Sequence, residues 1–237
     1  TALTTGDGNV AVGFEALSTE DANSFNVGVG YRALKTLNAG ADGFNIGIGY
    51  DAGTSMTTGI QNTIVGAFAG DALTDADFNV AVGILALTDE TKGSKSVAVG
   101  YAALGDSNFT TSTDTFNTAV GYNSGRAVTT GLRNTLVGAE AGDALTTSNN
   151  SVAVGYNALH ANTVSAGNVA VGKDALKAFN VGSGSGNNTA VGTLAGGALT
   201  SGVNNTLMGS LAGDALTDAD NNVAVGYKAL GADTLGT

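Results

Sequence analysis

Apolar and polar positions along the chain repeat as one nine-residue phrase, plainest as Asn79-Val80-Ala81-Val82-Gly83-Ile84-Leu85-Ala86-Leu87. It recurs thirteen times, starting at Asn9, Asn26, Asn45, Asn62, Asn79, Ser96, Asn117, Asn134, Ser151, Asn168, Asn188, Asn205 and Asn222. Nine of the twelve spacings are 17 residues, and the others are 19, 21 and 20. A fixed period of this size predicts a solenoid, each repeat one coil laid on the last. The residues after the Asn alternate at period two (Val80 and Val82, Val152 and Val154, Thr206 and Met208) and are β-branched or apolar. That pattern predicts a short strand in every coil. A coil of 17 residues with several glycines has no room for a helix, so parallel strands stacked through successive coils are expected.

Taking the Asn as position 0, position +4 is glycine in every copy: Gly13, Gly30, Gly49, Gly66, Gly83, Gly100, Gly121, Gly138, Gly155, Gly172, Gly192, Gly209 and Gly226. Such a column predicts a turn at positive φ or a backbone approach too close for a Cβ. Position +2 is small or apolar throughout, from Ala11 and Gly28 to Leu207 and Ala224, and never polar. A strand without a polar face is expected to be covered on both sides. The sequence reading assigns Val10, Val12 and Leu17 to a thin coil core and the +2 face to an interface between parallel chains. Position +7 is Ala in twelve copies and Ser124 in the other. Position +8 runs two Leu, two Gly, repeated, and each Gly is followed three residues later by Met56, Leu73, Val128, Leu145, Leu199 or Leu216. A four-coil block of about 71 residues thus overlies the single coil, with the long spacings in 35–44, 105–116 and 177–187. Residues 1–237 read as one solenoid segment that begins and ends in mid-coil, part of a longer fibre.

Composition narrows the function. The chain has no Cys, which excludes disulfides and thiol-based zinc sites. Its net charge is −11 with only 12% charged residues, so clustered Lys and Arg for a nucleic acid or an anionic membrane are missing. No apolar run is long enough for a membrane helix, and Thr1–Thr5 lacks the basic region of a signal peptide.

Several motifs invite chemistry. Gly28-Val29-Gly30-Tyr31-Arg32-Ala33 and Gly47-Ile48-Gly49-Tyr50-Asp51-Ala52 match a dinucleotide fingerprint, but that motif needs a following helix, and here each is the coil phrase with glycine at +2. Asp75-Ala76-Asp77-Phe78-Asn79 and Asp218-Ala219-Asp220-Asn221-Asn222 open like a calcium loop without its later Gly and Glu, and read as turns. His160 is the only histidine, so no histidine metal cluster can form in one chain, and no Ser-His-Asp relay is expected around it. Asp71, Asp143 and Asp214 follow the coil register and read as turn residues; no catalytic residue, metal or cofactor is expected. The Asn column is expected to form a hydrogen-bonded ladder. All six Tyr lie at +5, which reads as a half-exposed rim. Phe44, Phe109, Phe116 and Phe179, in or beside the long loops, are the candidate receptor-binding residues, with packing over the coil edge as the other use.

Asn221-Asn222-Val223-Ala224-Val225-Gly226 and Asn150-Ser151-Val152-Ala153-Val154-Gly155 resemble the N-S-V-A-I-G repeat of trimeric autotransporter adhesin heads. Asn117-Thr118-Ala119-Val120-Gly121-Tyr122 and Asn134-Thr135-Leu136-Val137-Gly138 are similar to repeats of bacteriophage tail fibres and spikes. The resemblance implies a left-handed parallel β-roll with three chains side by side, apolar faces inward. Thirteen coils would stack to on the order of 60 Å. The 17-residue coil and four-coil block lean toward a phage or phage-like fibre: a structural and attachment protein, located on a virion or cell surface, partnered by itself and by a host-surface glycan or protein. The alternatives are an adhesin head and a monomeric ice- or surface-binding solenoid. Thr63, Thr118, Thr135, Thr189 and Thr206 at +1 are interrupted by Val, a poor ice-binding array. A polysaccharide-cleaving spike would need a carboxylate cleft.

Overall fold

The computed structural model describes residues 6–20 and 24–234. These form thirteen coils of a parallel β-solenoid and contain no helix. The chain divides into two compact units, Thr1–Phe116 and Asn117–Thr237. In the first, β1 (Val10–Val12), β2 (Val27–Val29), β3 (Ile46–Ile48), β4 (Thr63–Val65), β5 (Val80–Val82) and β7 (Val97–Val99) pair in chain order, all parallel and in coil register, as in Val10↔Val27. β6 (Gly93–Ser94) and β8 (Thr113–Asp114) make a small second parallel pair beside the 105–116 loop. In the second unit, β9 (Thr118–Val120), β10 (Thr135–Val137), β11 (Val152–Val154), β12 (Val169–Val171), β13 (Thr189–Val191), β14 (Thr206–Met208) and β15 (Val223–Val225) continue the same rule.

The faces of the strand are the reverse of the expected ones. From β2 onward every +2 residue points into its own coil and is buried, Ile64, Ala81, Leu136 and Leu207 completely. A Cβ on Gly47 would meet Leu34 Cγ at 2.5 Å, so the column is small because the coil interior is narrow. The +1 and +3 residues point outward instead, with Val12 57% and Met208 44% exposed. The expected interface face is therefore the core, and the expected core valines are surface. Period-two alternation fixes two faces without saying which is inside. That is decided by the +7 and +8 residues across the coil: Ala86 and Leu87, or Ala158 and Leu159, are fully buried against +2.

Where +8 is glycine, Met56, Leu73, Val128, Leu145, Leu199 and Leu216 are all fully buried and fill the same space. A Cβ on Gly142 would lie 2.8 Å from Leu145 Cδ1, so in the 17-residue coils glycine at +8 makes room for the +11 side chain, whereas the longer coils from Asn26 and Asn168 bury both Leu34 and Leu37, and both Leu176 and Phe179.

The +4 column meets both conditions expected of it. φ runs from 120° at Gly226 to 140° at Gly49 and Gly121, and a Cβ on Gly83 would sit 2.3 Å from the carbonyl oxygen of Gly100 in the next coil. The Asn column forms the expected ladder. Asn45, Asn62, Asn79 and Asn134 are fully buried. The Oδ1 of Asn62 accepts the Asn79 N–H at 2.9 Å, while its Nδ2 donates to the Ala76 carbonyl at 2.8 Å. The same pair of bonds recurs from Asn134, to the Ser151 N–H at 3.0 Å and the Ser148 carbonyl at 2.7 Å. These polar groups would otherwise stand unpaired inside the coil, at roughly 1–3 kcal/mol each.

Gly83→Ala adds a methyl group against backbone at a φ that L-residues avoid, and is expected to cost at least ~3 kcal/mol. Denaturant titration followed by circular dichroism checks this; an unchanged midpoint would contradict the close coil contact.

Candidate interaction surface

The outward residues of each strand and of the positions beside it form columns on the surface of each unit. In the first unit the +5 column stacks: Phe14 on Tyr31 with ring centroids 5.2 Å apart, and Tyr31 on Tyr50 at 5.0 Å, both with nearly parallel planes. In the next coil +5 is Ala67, and Phe68 at +6 meets Tyr50 edge-on at 5.2 Å. The rim is thus half-exposed, as expected, but the rings cover one another's faces. A sugar stacks on a ring face, so within this row the exposed ring edges suit apolar packing better than carbohydrate. Arg32 lies over the Tyr31 ring and grips Asp51 with two bonds, Nε to Oδ1 at 2.7 Å and Nη2 to Oδ2 at 2.5 Å, which raises the guanidinium further above its usual range.

A second column lies at position −1, just before the Asn. In the first unit it holds Phe25, Phe44, Phe78 and Phe116, exposed at 47, 53, 45 and 53%, together with Gly8, Gln61 and Lys95. Phe25 and Phe44 stack at 5.1 Å, and Lys95 Nζ sits 5.4 Å over Phe116 while bonding Asp114 at 2.5 Å. Every residue of this column from Gly8 to Asn221 is left-handed, with φ between 49° and 74°. In the second unit it holds Arg133, Asn150, Gly167, Asn187, Asn204 and Asn221. Asn and Gly take this conformation readily, whereas a larger side chain costs roughly 1–2 kcal/mol.

The four candidate receptor residues separate into two pairs. Phe44 and Phe116 belong to this exposed column. Phe109 is 7% exposed and Phe179 fully buried, so both rings pack inward. Phe179 would touch a Cβ on Gly186 at 2.6 Å, which places it under the 177–187 loop. What stands out from the three long loops is small and polar: residues 40–42, 110–112 and 182–185.

A buried carboxylate holds one of these loops. Glu90 is fully buried, and its Oε1 accepts the backbone N–H groups of Thr91, Lys92, Gly93 and Phe109 at 2.9, 3.1, 2.7 and 3.0 Å. Its Oε2 accepts the Ser107 hydroxyl at 2.5 Å. The signal was in the sequence at position +11, where most coils hold an aliphatic residue but Glu20, Glu90, Asn162 and Asp233 recur once per block.

The acidic turns are structural. Asp77, Asn149 and Asp220 occupy one position, and each Oδ1 accepts a backbone N–H of the preceding coil: Ile60 at 2.8 Å, Leu132 at 2.6 Å and Val203 at 2.7 Å. An amide does the work of the carboxylate at Asn149, as a turn requires and a calcium loop would not. Burial pushes the Asp71 and Asp143 carboxyls up; Thr88 opposes the shift at Asp71, and His160, 2.6 Å from Asp143, opposes it there. Among the described residues no cluster of three metal-ligating side chains occurs.

Glu90→Gln replaces an acceptor among donors by an NH2 group. Faster amide exchange over 105–116, with 177–187 unchanged, is expected by hydrogen-exchange mass spectrometry. Asp71 has its carboxyl pKa raised in the fold, so its ionised form costs stability above that pKa, and the cost fades as pH falls through it. Asp71→Asn keeps the acceptor for Thr88 and should raise the melting temperature at pH 7 but not at pH 3; the reverse order would refute the burial effect. The chain matches no family model, no curated protein and no solved structure.

Proposed function

We propose that the chain is a structural and attachment protein, a shaft or head segment of a fibre in which three copies lie side by side as left-handed β-rolls. The observation that carries this reading is the outward face of the strands. Each coil already has a complete core, yet Val or Ile fills most +1 and +3 positions on the surface, with Thr and one Met in the rest. An exposed apolar ladder of this extent is the mark of an interface. Positions −1, +1, +3 and +5 hold none of the chain's 20 carboxylates. On a chain of net charge −11, that is the face on which like-charged copies can meet with least repulsion. The repeat of one column per coil also matches a partner with the same pitch, which an identical chain supplies.

The resemblance of the Asn-x-Val-Ala-Val-Gly phrase to phage fibre and adhesin repeats supports the same reading, with a virion or cell surface as its place. A phage or phage-like fibre is preferred for its 17-residue coil, and an adhesin head is the alternative. Loop tips at 40–42, 110–112 and 182–185, carried on rigid coils, are then the parts available to a host glycan or protein.

Light scattering coupled to gel filtration is expected to give three times the 23.1 kDa chain mass. Val82→Glu with Val154→Glu, which places carboxylates on the face without touching the coil core, should yield folded monomers. A wild-type monomer at every concentration would overturn the proposal and favour a surface-binding solenoid, for which thermal hysteresis is the assay.

A further inference from the structure

We infer that the phenylalanines of the −1 column (Phe25, Phe44, Phe78 and Phe116) are the anchor contacts through which one copy of the chain grips another, so that association is strongest along the first unit. This rests on the self-association proposed above and adds to it which residues hold the copies together.

Three observations converge on this column. The four rings adopt φ of 63°, 50°, 61° and 52°, a conformation that bulky side chains avoid. At five of its six positions the second unit meets the same backbone conformation with residues that suit it, Asn150, Gly167, Asn187, Asn204 and Asn221, and Arg133 stands at the sixth. Leucines such as Leu34 and Leu87 take the same conformation where their side chains fill the coil core, whereas these four rings bear its cost outside the core. The rings also remain about half exposed despite the Phe25–Phe44 stack, so their apolar surface is not used within the chain. Large aromatic side chains at the edge of an apolar face are the usual anchors of protein association.

Pitch and charge name the occupant. Lys95, the cation over Phe116, is already neutralised by Asp114, and the +1 and +3 positions beside the column hold no carboxylate. A second copy brings the same carboxylate-free strand face at the same pitch. A polyanion would find too few cations here, and a sugar would find the stacked faces of Phe25 and Phe44 partly covered.

The test uses the full chain with Phe25→Asn, Phe44→Asn, Phe78→Asn and Phe116→Asn together. Asn suits the left-handed backbone, so the coil fold is expected to survive, with an unchanged circular dichroism spectrum. Subunit exchange between copies carrying different fluorophores should accelerate roughly tenfold or more, because anchor loss acts on dissociation. Asn150→Ser with Asn204→Ser, in the matching column of the second unit, should leave exchange at the wild-type rate. Wild-type exchange in the phenylalanine variant would overturn this inference while leaving self-association intact. Acceleration by the second-unit variant equal to that of the phenylalanine variant would overturn the concentration of grip in the first unit. A wild-type chain that is monomeric would sink the assembly reading itself. Unchanged exchange with lost adhesion to host cells would reassign the column to a receptor.

Discussion

The constraint on which everything else rests is the contact between successive glycines of the +4 column. With the carbonyl of the next coil where each coil's own Cβ would be, the backbones touch, and each coil must repeat the path of its neighbour. Once that pitch is imposed, residues at equal positions lie over one another, and whatever one coil does with a side chain the next must do or replace. Hence the Asn ladder, the aromatic rows and the outward valines are all columns. A column extends a small local preference over many copies, so a modest bond such as Asn62 Oδ1 to the Asn79 amide acts as part of a continuous seam.

Much of this was legible in the sequence because period and position carry it. The strand in each coil, the glycine turn, the Asn ladder, the half-exposed tyrosine rim and the exchange of Leu at +8 for an aliphatic at +11 follow from residue type and spacing. Which strand face lies inside did not. Alternation distinguishes two faces, but choosing between them requires knowing how wide the coil is, and that depends on how Ala86 and Leu87 fold back across it. Small residues at +2 suit a narrow interior and a close interchain contact equally well on paper.

The candidate site was legible in part for a related reason. Phe44 and Phe116 were noticed as loop residues, yet they belong to a column with Phe25 and Phe78 that is visible once the register is counted back from the Asn. Phe109 and Phe179 look alike in sequence but turn inward, because the longer coils leave space beneath the loop that an aromatic ring fills. Glu90 was missed because an isolated acid in an acidic chain carries no signal until it is aligned with the aliphatic residues of its own column.

The Asn ladder has a direction. Each carboxamide oxygen receives the amide of the coil that comes after it in the chain, as Asn45 receives Asn62, and Asn62 receives Asn79. During synthesis the acceptor is therefore already in place when its donor is made. Each new coil closes a loop of only about one coil length on the one before, so contacts stay local and their entropic cost small. The molecule can be laid down in the order it is translated, every finished coil serving as the mould for the next.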